Sequence, residues 1–205
     1  MHRPIPPLPA DALTLVQVGR RGGLPEPWGW AENLKAIRFV DSDADAPGAP
    51  GIREVARTLA DSFGPASVHL TRSPAASSLL ASNESFLRPL ETDAAFDAVG
   101  TATLEASTLD ASLAELGVRD VDVLDLDAPG RELAILEGAV ETLAGPLFAV
   151  EVEVPLNPLY DSQPLAGEVD SLLRRFGYEL FQFLPRRFRR TAGLDLLVLG
   201  RGQPV

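Results

Sequence analysis

The acids of this chain that could act in catalysis lie in or directly after two mainly apolar stretches. Asp127 ends the apolar run 121–126 and precedes a Pro-Gly turn, whereas Glu151 and Glu153 alternate with valine in the stretch 148–154. A carboxylate at such a position can accept the proton of a reacting hydroxyl group. Alternatively, Asp127 caps the helix predicted after it, and the two glutamates bind a cation or face solvent at a strand end. These three acids are the candidate catalytic residues.

A glycine-rich segment follows the first apolar run, 13–18, and supplies a second group of candidates. It contains Gly19, Gly22 and Gly23. Glycines directly after a strand let the backbone turn sharply and let a ligand come close. Their spacing is not that of the dinucleotide-binding G-x-G-x-x-G motif, so a plain glycine loop is the alternative interpretation.

Two aspartates, Asp41 and Asp43, end the second apolar run, 37–40. An acid at the end of the second strand of a nucleotide-binding α/β unit can accept hydrogen bonds from ribose hydroxyls. Ligands of open α/β sheets bind beyond the carboxyl ends of the strands. We therefore expect these acids, the glycine segment and Asp127 to converge on one cleft.

A sheet is needed to position these residues, and the hydrophobic pattern predicts one. Short apolar runs predict strands over 13–18, 37–40, 68–71, 101–105, 121–126, 148–154, 178–183 and 194–199. Helical spacing predicts helices over 52–63, over 107–116 with a capping box of Ser107 and Asp110, and over 133–143 and 164–176. Alternating strands and helices predict an α/β fold, with a mostly parallel sheet and helices on both faces. The last two strands, joined by the loop 185–193, are predicted to pair antiparallel because that connection is too short for a helical crossover.

Composition restricts the function. The 205 residues carry a formal net charge of −11, which argues against binding to nucleic acid or to an anionic membrane. The absence of cysteine excludes a thiol nucleophile and a disulfide framework, and the two histidines leave little for a metal site. Without a signal peptide or membrane span, the pattern predicts a soluble cytoplasmic protein. We expect a single domain over 1–205, with residues 1–11 as an extended proline-rich arm.

Three segments in the same order resemble the FkbM-type S-adenosylmethionine-dependent methyltransferases. The segment VDVLDLDAPGRELAILEGAVETL is similar to the family's strand, D-x-x-G-x-E-L turn and I-L-x-G-A helix. The segment EVEVPLNPLYDSQPL is similar to its E-x-E stretch and P-L-Y-x-x-Q-P-L continuation. The stretch from Thr71 to Asn83, which includes Ser77 and Ser78, is similar to a third segment. The likeness covers roughly residues 13 to 199.

The resemblance implies a class I methyltransferase fold with an antiparallel C-terminal hairpin. It implies S-adenosyl-L-methionine as the cofactor and a hydroxyl group of a small molecule or sugar as the acceptor. Gly19, Gly22 and Gly23 would then hold the methionine part of the cofactor, and Asp41 or Asp43 would bind the ribose. Asp127 would lie near the methyl group.

The sequence also departs from the family pattern. Gln17 stands where the first strand usually ends with an acid that binds the cofactor's amino group, and it offers dipoles without a charge. Arg20 replaces an asparagine, Asp125 replaces a lysine, and the segment after Asp43 is short. These departures favour an alternative hypothesis, a methyltransferase-fold protein that has lost catalysis and binds a small molecule or a partner.

Overall fold

A computed structural model describes residues 13–19, 23–24, 28–30, 33–41, 51–90, 93–184, 187–189 and 195–197. The predicted site residues Gly22 and Asp43 and the predicted arm, residues 1–11, lie outside this part of the chain. The strands within it are β1 (Leu13–Val18), β2 (Leu34–Val40), β3 (Ile52–Ala56), β4 (Thr58–Leu59), β5 (Gly64–Thr71), β6 (Ala98–Ser107), β7 (Val123–Leu126), β8 (Ala149–Val152), β9 (Arg187–Arg189) and β10 (Asp195–Leu197). Its α-helices are α1 (Glu84–Leu87), α2 (Leu109–Glu115), α3 (Glu132–Glu137), α4 (Val140–Ala144) and α5 (Ala166–Arg175).

The central sheet has five parallel strands in the order β3-β2-β1-β7-β8. Its middle strands are mostly apolar and almost wholly buried, as expected for parallel strands that are covered on both faces. Val16 and Val18 on β1, Phe39 on β2 and Leu126 on β7 face the same side of the sheet and form the main hydrophobic core. Helices α2 to α5 pack on that side through Leu109, Leu113, Ile135, Leu136, Leu143, Val169 and Leu172. This architecture confirms the predicted α/β fold class.

A second, smaller sheet has the order β4-β6-β5. Strands β5 and β6 form a long antiparallel ribbon, and β4 runs parallel to the last two residues of β6. The chain between these two ribbon strands returns toward the central sheet, because Ser78 on that connection hydrogen-bonds the carbonyl oxygen of Pro129 after β7. None of the helices in the described residues is long and apolar enough to cross a membrane.

The helix predicted over 52–63 is wrong, because these residues form β3 and β4. Ile52 and Val55 fit helical spacing, but β-branched side chains also suit a strand. β3 pairs with the outer edge of β2 and so provides hydrogen-bond partners for the backbone N–H and C=O groups of β2. A helix at this place would leave those groups unpaired. Phe63, expected on the buried face of the helix, has 66% of its surface exposed.

The helix predicted over 133–143 is divided into α3 and α4 at Gly138. A side chain at this position would approach the carbonyl oxygen of Ala60 to 2.5 Å, so the two helices join where the chain touches the segment after β4. The first turn of α4 is capped from outside, since the carboxylate of Asp110 accepts the N–H groups of Glu141 and Thr142 at 2.7 and 2.9 Å.

The capping box predicted for Ser107 and Asp110 is also wrong. The N-cap of α2 is Thr108, whose hydroxyl accepts the N–H of Ala111 at 3.2 Å. The side chain of Asp110 instead caps α4. Because α4 is distant from Asp110 in sequence, a local motif cannot indicate this contact.

The strand predicted over 178–183 is wrong, although the predicted antiparallel pair exists. Residues 178–184 have no regular secondary structure, and Phe181 is 98% exposed. The pair consists of β9 and β10, which form a sheet of their own. β9 thus comes from the predicted loop. This shift shortens the connection between the two strands toward the lengths that are common in hairpins.

Candidate functional site

The carboxyl ends of β1, β2 and β7 lie side by side at the centre of the parallel sheet. The strand order reverses here, since the chain continues through β2 and β3 on one side of β1 and through β7 and β8 on the other. Such a reversal is where open α/β sheets bind ligands. Gly19 follows β1, Asp41 follows β2 and Asp127 follows β7. The fold therefore brings three of the predicted site residues to one place.

Gly19 allows the chain to leave β1 between its two neighbours. Its N–H donates to the carbonyl oxygen of Phe39 at 3.0 Å, while the N–H of Asp127 donates to the carbonyl oxygen of Val18 at 3.0 Å. Gly19 has a φ of +83°, and a Cβ there would collide with the carbonyl oxygen of Asp127. A residue with a side chain is therefore excluded from this turn on two counts.

Asp41 and Arg131 form a two-pronged ion pair across the end of β1. Nη1 and Nη2 of Arg131 donate to Oδ1 and Oδ2 of Asp41 at 2.9 and 2.7 Å. The arginine side chain is 5% exposed and the aspartate side chain 32%. Since Arg131 comes from the turn between β7 and α3, this pair ties the end of β2 to the far side of the central strand. The predicted ribose-binding acid is therefore held by an arginine of the same chain.

The acids Asp127, Glu132 and Glu153 lie together at the ends of β7 and β8. The N–H of Glu153 donates to the carbonyl oxygen of Leu126 at 2.9 Å, which sets this residue beside Asp127. Glu132, the first residue of α3, is 5% exposed. Burial raises the pKa of its carboxyl group from 4.5 to about 8. Its backbone hydrogen bond and Arg131 oppose this rise, whereas Glu153 and Asp127 add to it.

Glu151, the third predicted catalytic acid, lies within β8, two residues before Glu153. It is paired in register with Asp125 on β7 and is exposed. Asp127 is not itself the N-cap of α3, which is Arg131. Asp127 and Glu153 are thus the predicted acids that stand at the strand ends.

Two loops cover the turn between β7 and α3. Gly130, with a φ of +77°, leaves no room for a side chain between Ser78 and Tyr160, which would lie 3.0 and 3.3 Å from a Cβ. The hydroxyl of Tyr160 donates to the carbonyl oxygen of Ala76 at 2.8 Å. The side chain of Gln163 accepts N–H groups of the loop that carries Tyr160. These contacts hold the acidic turn in a fixed position.

A row of polar side chains crosses the sheet on the face opposite the main core. Register places Glu54, Arg38, Gln17, Asp125 and Glu151 on five neighbouring strands. Nε2 of Gln17 donates to Asp125 at 2.7 Å, and Nη2 of Arg38 donates to Oε1 of Gln17 at 2.7 Å. Nη1 of Arg38 reaches Glu54 at 3.2 Å. The side chains of Gln17, Arg38 and Asp125 are fully buried. Both ends of the Gln17 amide therefore bind within this row.

Arg38 also contacts the glycine segment, because its Nη2 lies 3.5 Å from the carbonyl oxygen of Gly23. A Cβ at Gly23 would meet no atom of the described residues within 4 Å. Gly23 thus has open space around it, unlike Gly19.

A cleft of about 620 Å³ lies at the carboxyl end of β3, beside β4. It is lined by the turn between β3 and β4, the start of β5, the end of β6 and the end of α2, with Arg57, Thr58, Phe63 and Glu115 among its residues. None of the predicted site residues within the described part of the chain lines it.

The family model described as the Methyltransferase FkbM domain matches residues 46–180, about two thirds of the chain. The chain belongs to this family. No curated protein and no solved structure matches it. The FkbM match confirms the resemblance found in the sequence and includes the predicted catalytic acids. It begins after β2, so Gln17, Gly19, Gly22, Gly23, Asp41 and Asp43 precede the matched range.

Sequence reasoning did not select two prominent residues of this FkbM domain, Arg131 and Glu132. Both stand in the D-x-x-G-x-E-L segment, which is the signal that could have pointed to them. Within the part of the chain that the structure covers, no group of three or more His, Asp or Glu side chains is arranged to hold a metal ion.

Proposed function

We propose that this FkbM domain is an S-adenosyl-L-methionine-dependent methyltransferase that acts on a hydroxyl group of a small molecule or sugar. The observation that carries the proposal is the convergence of Gly19, Asp41 and Asp127 at the point where the strand order reverses. The net charge of −11 favours such an acceptor over a nucleic acid.

The chemistry of the side chains suits this cofactor. Asp41 offers two carboxylate oxygens of the kind that accept ribose hydroxyls. Asp127 and Glu153 place negative charge where a sulfonium cation would be held, and opposite charges attract strongly near a partly buried site. The cofactor, when bound, supplies an electrophilic methyl group. Asp127 or Glu153 would accept the proton of the acceptor hydroxyl, and the turn between β7 and α3 would keep the two reactants aligned.

Calorimetric titration with S-adenosylmethionine and S-adenosylhomocysteine tests the proposal. We expect saturable binding that weakens at least tenfold in Asp41→Asn, because the amide offers one acceptor oxygen where the carboxylate offers two. Asp61→Asn is the matched control, since this exposed aspartate lies after β4 and away from the strand ends. Absence of binding up to millimolar ligand, or equal losses in both variants, would refute the proposal.

A second candidate function is ligand or partner binding without catalysis. Two observations favour it: the carboxylate of Asp41 is taken by Arg131, and the amide of Gln17 is taken by its neighbours in the sheet. This candidate predicts no binding of either adenosyl compound, even after Arg131 is replaced.

A further inference from the structure

The ion pair between Arg131 and Asp41 closes the position at which a nucleoside would be recognised. The guanidinium presents two parallel N–H donors, one to each oxygen of the carboxylate, at 2.9 and 2.7 Å. This is the bidentate geometry for which arginine is preferred over lysine. Each of these two N–H groups binds one oxygen of Asp41, so both carboxylate oxygens are already bound on the side that faces Arg131.

A ribose presents its two adjacent hydroxyl groups to a carboxylate in much the same way. The 2′ and 3′ hydroxyls are a pair of neighbouring donors, and an aspartate at the end of a second strand binds them as a pair. A guanidinium fork and a ribose diol therefore compete for the same two oxygens. We infer that Arg131 sets the affinity of this chain for an adenosyl cofactor, because its guanidinium must leave Asp41 before the ribose can bind there. This inference rests on the proposed function and deepens it.

The neighbouring Glu132 does not compete with Asp41 for Arg131. Burial raises the pKa of its carboxyl group to about 8, so it holds a proton at neutral pH. The guanidinium of Arg131 is nevertheless not fully satisfied in the closed arrangement. Its Nε is buried and makes no hydrogen bond among the described residues, so the pair with Asp41 leaves one donor unsatisfied. An unsatisfied buried donor carries a cost, which reduces the advantage of the closed arrangement.

Affinity for S-adenosylhomocysteine, measured by calorimetry, tests the inference. Arg131→Met keeps most of the volume and removes the fork, and we expect it to bind roughly fivefold more tightly than the wild type, the scale of an ion pair with one partly exposed partner. Arg131→Lys keeps the charge as a single point donor and should fall between the two. The control is Arg174→Met, which removes the exposed ion pair with Asp170 within α5 and should leave the affinity unchanged.

A double-mutant cycle identifies the mechanism. If Arg131 acts by occupying Asp41, the gain from Arg131→Met should disappear in the Asp41→Asn background. Thermal unfolding of every variant separates loss of folding from loss of binding, and Arg131→Lys carries the test if Arg131→Met fails to fold. Wild-type binding that is unchanged or weakened by Arg131→Met, or a gain that persists without the Asp41 carboxylate, would overturn the inference and leave the proposed function standing. No binding by any folded variant would overturn both.

Discussion

The buried carboxyl group of Glu132 offers the sharpest test of the site's electrostatics. It is 5% exposed at the start of α3, and burial raises its pKa from 4.5 to about 8. Glu132→Gln keeps the shape and a hydrogen-bonding oxygen but cannot ionise. The substitution should therefore remove the cost of charging a buried group and little else.

The sign follows from proton linkage. A raised pKa means that the folded protein holds a proton on Glu132 between pH 4.5 and about 8, where the unfolded chain has already released it. The free energy of unfolding should therefore fall as pH rises through this window. One pKa unit corresponds to about 1.4 kcal/mol, so the loss between pH 4.5 and pH 7 is about 3 kcal/mol. The advantage of Glu132→Gln over the wild type should grow by that amount.

Urea denaturation at several pH values from 4.5 to 8 measures this difference. Glu137→Gln on the same helix is the matched control, because Glu137 is exposed and its substitution removes a carboxyl group that is not buried. If the stability difference between Glu132→Gln and wild type is flat across the window, the carboxyl group is not desolvated as the structure requires. A difference that shrinks as pH rises would also refute the reasoning.

Three further substitutions test the framework of the site. Gly19→Ala should cost roughly 3 kcal/mol or more in chemical denaturation, since a Cβ collides with the carbonyl oxygen of Asp127 at a positive φ, whereas Gly23→Ala should be nearly neutral; equal costs would contradict the close approach. Arg38→Met leaves buried polar partners without their cation and should cost roughly 3 kcal/mol; a neutral result would mean that the row is not buried. Asp110→Ala removes the outside cap of α4 and should cost about 1 kcal/mol, with the largest increase in amide exchange at the start of that helix; unchanged exchange there would refute the capping role.

The sequence alone was sufficient for the strands at the centre of the sheet. β1 and β2 are mostly apolar and are buried on both faces, and such segments indicate buried parallel strands whatever surrounds them. The end of each strand was also marked locally, by Gly19, Asp41 and the acidic turn after β7. Because carboxyl ends of parallel strands meet at one edge, these local signals were enough to predict where the site residues would gather.

Residues 52–63 show where local pattern fails. Their spacing satisfies a helix and their β-branched members suit a strand, so the choice depends on what lies beside them. The partner is β2, whose outer edge needs hydrogen bonds that only another strand supplies. The same reason hid the ion pair at the site, because Arg131 and Asp41 are 90 residues apart in sequence. No periodicity connects residues at that separation.

Two departures from the family pattern, Gln17 and Asp125, prove to be a single structural feature. They are in register on adjacent strands and bind each other at 2.7 Å. Arg38 binds Gln17 from the other side and brings a positive charge into the row. The family pattern has its positive charge at the position of Asp125, where a lysine stands. A buried carboxylate without such compensation would be costly. Because the side chains of Gln17 and Asp125 bind each other, we do not count them as independent losses of the cofactor pocket.

Arg38 extends this feature to the glycine segment through the carbonyl oxygen of Gly23. The row thus contacts the loop that would hold the cofactor. The amide of Gln17 is itself bound by Asp125 and Arg38. Among the described residues, cofactor binding at Asp41 then depends on whether Arg131 yields that carboxylate to a ribose.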